Sequence, residues 1–127
     1  KRVSSGDETG GGMMKRKRVC IIGPYRADNV LGILDNIREG IRWSIKVFLA
    51  GHAPFCPWLD FMFQLLLLPG EKLTVADYQE RSMAWLEVSD VVFAIPGWER
   101  SEGARAETER ASRLGIRIVY GDISLIK

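Results

Sequence analysis

Histidine and cysteine are scarce in this 127-residue chain, which has one histidine, His52, and two cysteines, Cys20 and Cys56. So few ligands, so far apart, make no cluster for a zinc ion, and neither a metal nor another cofactor is expected. No signal peptide is recognised, so the thiols are read as reduced core residues and the protein as cytoplasmic. Long apolar runs are missing: the longest, Phe61 to Leu68, is interrupted by Gln64, whereas a bilayer span needs about 20 residues. No membrane partner is expected. The glycine spacings of a P-loop or a dinucleotide fingerprint are also absent, which argues against ATP or NAD.

Charge of one sign is scarce once its position is considered. The chain carries a net +2, but Lys1, Arg2, Lys15, Arg16, Lys17 and Arg18 against Asp7 and Glu8 give the first 18 residues +4 and leave the remainder at −2. A mildly acidic body argues against a broad nucleic-acid face. The cluster Lys15–Arg18 reads as a solvated lead-in, or as a phosphate contact or targeting signal. Residues 1–18 are expected to be a disordered basic leader or an expression remnant, and residues 19–127 a single domain.

What is present is alternation. Val19 to Ile22 is a β-branched run ending at Gly23-Pro24 and reads as a buried strand. Val30, Ile33, Leu34, Ile37, Ile41, Ile45 and Phe48 recur at helical spacing, with Asp28 or Asn29 as N-cap and Gly51 as the stop. Ala53 to Trp58 reads as a second strand, made irregular or pushed to an edge by Pro54 and Pro57. Leu59 to Leu68 is a short covering helix or a subunit contact. Thr74 opens another helix, with Val75, Tyr78, Ser82, Trp85 and Leu86 on one face. Val91 to Ile95 is a strand stopped by Pro96-Gly97, Gly103 to Leu114 a helix, and Arg117 to Tyr120 a last strand. This order predicts a small Rossmann-like (flavodoxin-like) three-layer α/β domain with a four- to five-stranded parallel sheet. Ligands in such folds bind beyond the carboxyl ends of the strands, at the loops 23–29, 58–60 and 96–103.

Within the helix Gly103–Leu114, Ala104, Ala111 and Leu114 mark the buried face. Glu107 lies three residues after the first and four before the second, so it points inward or into the cleft. Glu109 is rotated by about 200° and can pair with Arg105 and Arg113. A buried carboxylate without compensation costs several kcal/mol, roughly, so an inward Glu has a partner or a task; the alternative is a first-turn Glu serving the helix dipole. In the preceding loop, Gly97 and Gly103 permit close approach to a ligand, Ser101 can cap the helix or bind an anion, and Trp98 offers a face for a base or sugar. After the first strand, Gly23 permits close backbone approach, Arg26 can pair with a phosphate, and Tyr25 can reach a carboxylate from an adjacent strand end.

Three segments together resemble the nucleoside 2-deoxyribosyltransferases and the related 2'-deoxynucleoside 5'-monophosphate N-glycosidases, in particular short phage and bacterial members. They are Gly23-Pro-Tyr-Arg26, Trp85-Leu-Glu-Val-Ser-Asp90 running into Val91–Ile95, and Ser101-x-Gly103-x-x-x-Glu107-x-x-x-Ala111. The resemblance implies that Glu107 attacks the anomeric carbon of a nucleoside or nucleotide. It further implies that Tyr25 orients Glu107, that Ser101 and its loop amides hold a 5'-phosphate, and that Arg26 helps. One departure stands out: where the family commonly has an Asp eight residues before the strand-leading Asp90, this chain has Ser82. Asp60, Asp77 or His52 would then have to protonate the departing base, although His52, after Gly51 at a helix end, reads first as a cap or strand entry.

Three classes of function remain at this level. The first is cleavage or transfer of an N-glycosidic bond; the second is a non-catalytic sensor of a nucleotide-derived ligand on the same scaffold. The third is a structural subunit built on Phe61–Leu68, which explains the aromatics but not the inward Glu. The four tryptophans and the Phe-Met-Phe run predict a homo-oligomer.

Overall fold

The computed structural model describes residues 15–127; of the leader expected over residues 1–18, residues 1–14 lie outside the described residues. Four strands, β1 (Arg18–Ile22), β2 (Ala53–Phe55), β3 (Val91–Ala94) and β4 (Arg117–Tyr120), form one parallel sheet in the order β2-β1-β3-β4. Four helices connect or cover them: α1 (Val30–Leu49), α2 (Asp60–Leu65), α3 (Val75–Glu87) and α4 (Glu102–Arg113). The expected three-layer α/β architecture is the one observed.

Strand periodicity divides the core in two. Val19 and Ile21 of β1 and Val91 and Phe93 of β3 face α1, with Ile37, Val47 and Trp58. Cys20, Ile22, Val92 and Ala94 face the other way and pack against Leu86 of α3 and Ala104 and Ala111 of α4. The chain moves one way from β1 to β2, then returns across β1 to β3. Right-handed crossovers therefore put α1 on one face and α3 and α4 on the other, and the loops after β1 and β3 part at the sheet's switch point.

Several local expectations shift. The second strand ends at Phe55 rather than Trp58, because Pro57 opens a 3-10 turn over Pro57–Leu59; proline presets a helical φ and cannot donate to a strand ladder. Pro54 is accommodated because β2 is an edge strand. In α1, Asn29 is the N-cap, its side chain accepting from the Gly32 amide at 2.8 Å. The buried stripe of α1 is Ile37, Gly40, Ser44 and Val47, whereas Val30, Ile45 and Phe48 are exposed. The helix is rotated to bring its small residues onto Trp58, and buried Ser44 is satisfied by donating to Gly40 O at 2.8 Å. In α3, Ser82 and Leu86 are buried, while Val75 and Trp85 are exposed and Trp85 stacks on Phe55. Leu114 lies past the last turn of α4 and is exposed.

The basic lead-in is partly structural. β1 begins at Arg18, one residue before the expected domain boundary, and Arg18 pairs with Asp90 while Arg16 donates to His52 O and lies over Phe48. These contacts close the amino-terminal edge of the sheet, away from the switch point.

Candidate active site

At the carboxyl ends of β1 and β3 opens a cleft of about 1070 Å³. Gly23 and the loop Pro24–Asp28 form one side. Asp60, Tyr78, Ser82 and Met83 form a second, and Arg100 to Glu107 a third. Of the residues expected at the site, Gly23, Tyr25, Arg26, Asp60, Ser101, Gly103 and Glu107 all line it.

Glu107 is set by α4. Ser101 caps the helix, its Oγ accepting from the Ala104 amide at 3.1 Å, and Ala104 and Ala111 are buried against the sheet. Glu107 shares their face and leans over β1. Its charge, after burial itself, contributes to pushing the Cys20 thiol up. Burial pushes the Glu107 carboxyl up to about 7. Among the described residues it has neither a hydrogen-bond nor an ion-pair partner, so nothing offsets desolvation. Glu109 faces outward and pairs with Arg113 at 3.2 Å; Arg105 instead donates to Glu99 O.

Glycine roles differ from expectation. At Gly23 a side chain would overlap Ile95 and crowd Trp58, so this glycine serves packing at the cleft floor. Gly97 has φ +90, and the Arg100 guanidinium lies where its side chain would project. Gly103 has open space: the nearest atom to a methyl group there would be Ser101 Oγ at 3.9 Å. Gly103 alone of the three leaves room for a ligand that the protein does not itself fill.

Two expected residues are placed differently. Trp98 does not line the cleft; it is half-buried on the α4 side, with its ring centroid 5.4 Å from that of Tyr120. The 3-10 turn Trp98–Arg100 swings it behind the sheet edge and brings Arg100 forward. Tyr25 lines the cleft but, among the described residues, makes no hydrogen bond to Glu107. Its ring packs with the α1-side core, whereas Glu107 comes from the α4 side. Burial, then the Asp60 charge, then Tyr78, push the Tyr25 phenol up.

The three candidate acids separate clearly. Asp60 is buried, at 8% exposed, and ion-paired with Arg81. Asp77 is used in the capping box of α3, its carboxylate accepting from the Thr74 amide and hydroxyl, which hold its pKa below the usual range. His52 precedes β2 at the opposite end of the sheet. Ser82, the departure from the family pattern, is buried at the cleft wall.

Trp58 and Arg100 lie in the loops 58–60 and 96–103 that the sequence marks for ligand binding, but neither is singled out there. Arg81 has no signal beyond residue type. The Trp58 indole donates to Pro24 O at 2.9 Å and anchors the loop after β1. Asn36 reinforces that loop by donating to Tyr25 O and Arg26 O at 3.1 and 3.2 Å. Among the described residues no group of three or more His, Cys, Asp or Glu is placed to hold a metal ion.

Fold and cleft together define a parallel α/β domain with a half-buried acidic side chain, Glu107, at the cleft on the switch point. A family model covers residues 55–120, from the end of β2 to the end of β4. The chain belongs to that family, the domain of unknown function DUF4406. The match contains Asp60, Arg81, Ser82 and Glu107, but not the loop after β1. A comparison with curated proteins finds no match. Among the described residues no helix is long and apolar enough to cross a membrane.

Proposed function

We propose that this domain cleaves or transfers the N-glycosidic bond of a nucleoside or nucleoside 5'-monophosphate, with Glu107 as nucleophile. The observation that carries the reading is a half-buried carboxylate, without a partner among the described residues, at the cleft on the sheet's switch point. A carboxylate oxygen of Glu107 attacks the anomeric carbon and forms a glycosyl ester. The carbon–nitrogen bond breaks, its electron pair leaving with the base, which takes a proton from solvent water; that proton is returned by the water that attacks in the second step, or by the incoming base. Water or a second base then attacks the anomeric carbon, the ester bond breaks, and Glu107 is regenerated as a carboxylate.

Support for a phosphate on the substrate comes from the rim. Arg26 and Arg100 have no ion-pair partner among the described residues, and both line the cleft with Ser101 and Gly103 at the amino-terminal end of α4. The test is chromatographic detection of free base from a panel of deoxy- and ribonucleosides and their monophosphates, with wild type and Glu107→Ala in parallel. Release by wild type alone supports the reading; no release from any substrate, with or without an acceptor base, overturns it.

A second reading, binding without turnover, is favoured by buried Ser82 and by the pairing of Asp60 with Arg81, which leave no free acid beside the departing base. Cytoplasmic location and homo-oligomerisation belong to the same proposal. They are supported by the free Cys20 and Cys56, and by exposed Met62, Phe63, Leu65 and Leu66 on and after α2. Light scattering on the purified protein tests the oligomer.

A further inference from the structure

Arg81 does not line the cleft, yet it is held from three directions by residues of the cleft wall or its support. Its guanidinium lies over the Phe55 ring, 5.1 Å from the centroid, and over the Phe63 ring at 4.8 Å. Its Nη1 donates to Asp60 Oδ1. Phe55 also stacks with Trp85, their ring centroids 5.9 Å apart. A guanidinium lying over two aromatic rings and bonded to a carboxylate has little freedom of its own, so Nη1 is aimed before any ligand arrives.

Asp60 itself lines the cleft, and among the described residues its Oδ2 has no partner. We propose that Arg81 is a positioning residue that fixes the Asp60 carboxylate so that Oδ2 is kept as a hydrogen-bond acceptor for a hydroxyl or amino group of the ligand. The inference rests on the glycosidase reading only for the kind of ligand, a sugar-bearing one. It assigns Asp60 recognition rather than protonation of the base, because a carboxylate committed to a guanidinium is a poor proton donor. Burial, the larger effect, pushes the Asp60 carboxyl up, and the Arg81 charge opposes it. The other groups that feel Asp60 are Tyr25 on the loop after β1, Tyr78 on α3 and Cys56 before the 3-10 turn, and all three are neutral near pH 7. Arg81 is therefore the one cation acting on this carboxylate among the described residues.

The experiment combines a titration that needs no turnover with a kinetic comparison. The Asp60 carboxyl carbon is followed by NMR against pH in wild type and Arg81→Met, with Asp60→Asn for assignment. The expected result is an Asp60 titration at higher pH in Arg81→Met; an unchanged titration overturns the proposal. Where wild type releases base, Arg81→Met is expected to raise KM by about tenfold, with a smaller change in kcat. Substrates lacking the hydroxyl that Asp60 binds should show the loss already in wild type, with no further loss in the variant. An equal added loss on every substrate overturns the proposal. Arg81→Lys keeps the charge without the fork, and is expected to leave Asp60 ionised while raising KM. It decides the matter if Arg81→Met does not fold, and wild-type KM in Arg81→Lys overturns the proposal. Absence of base release from wild type would sink the glycosidase reading alone. The titration, and the dissociation constants of the same nucleoside monophosphates, would then test Arg81.

Discussion

The Trp58 ring occupies the space into which a side chain at Gly40 would project, and from there its indole N–H reaches Pro24 O at 2.9 Å. One helix glycine thus determines how closely α1 approaches the sheet and where the loop after β1 sits. Gly40→Ala places a methyl group against a ring that cannot yield without releasing that loop. It is expected to destabilise the fold by about 1–3 kcal/mol despite the better helix propensity of alanine. Urea denaturation of variant and wild type checks this, and a variant as stable as wild type would show that α1 can move outward freely.

The stability of the protein is expected to depend on Glu107 in a definite pH window. The folded-state pKa is raised to about 7 by burial, so the group's contribution is fully present below about pH 4.3, its unfolded value. That contribution is lost as pH rises through about 7. Glu107→Gln, which cannot ionise, is therefore expected to exceed wild type above pH 7 by up to about 3 kcal/mol and to converge with it in acid. Thermal denaturation at pH 5 and pH 8 separates the two regimes; a constant difference would place the Glu107 charge in solvent.

For activity the same carboxyl predicts the opposite preference. The nucleophile must be ionised, so kcat/KM for base release should climb with pH and level off above about 7. Glu107→Ala should abolish release, whereas Glu109→Ala, which breaks only an exposed pair with Arg113, should stay within a few-fold of wild type. Equal losses in both variants would contradict the assignment of the inward face of α4.

Ser101 and Gly103 should separate ligand binding from stability. Ser101→Ala removes the N-cap of α4 and is expected to lower stability by about 1 kcal/mol. Gly103→Ala meets nothing closer than Ser101 Oγ at 3.9 Å, and should leave stability unchanged or raise it by up to about 1 kcal/mol. Both variants should weaken binding of a nucleoside monophosphate, as read by titration calorimetry. Undiminished affinity in Gly103→Ala would move the ligand away from the amino-terminal end of α4.

Much of this was legible in the chain because it depends on near neighbours. The strand at Val91, the cap at Thr74 and the inward position of Glu107 follow from spacings of two to four residues. The α1 stripe is legible only in part, at Ile33, Leu34, Ile37 and Ile41, because Gly40 and Ser44 carry no apolar signal, yet a bulky ring from elsewhere needs them. Trp98 was expected at the ligand and lies behind the sheet edge for a similar reason: nothing local says that the turn Trp98–Arg100 faces Arg100, and not the indole, toward the cleft.

The sequence by itself determined the alternation of strands and helices, the parallel sheet that follows from it, and the face of α4 that carries Glu107. Backbone propensity and hydrophobic period act within one or two turns of the chain. Only the tertiary structure decided which groups share the cleft. Asp60 and Arg81 are 21 residues apart in sequence, and Trp58 and Pro24 are 34 apart. Their meeting depends on how α1 and α3 settle on opposite faces of the sheet. The raised pKa of Glu107 was likewise decided there, because desolvation is set by everything packed around a carboxyl and not by its place in a motif.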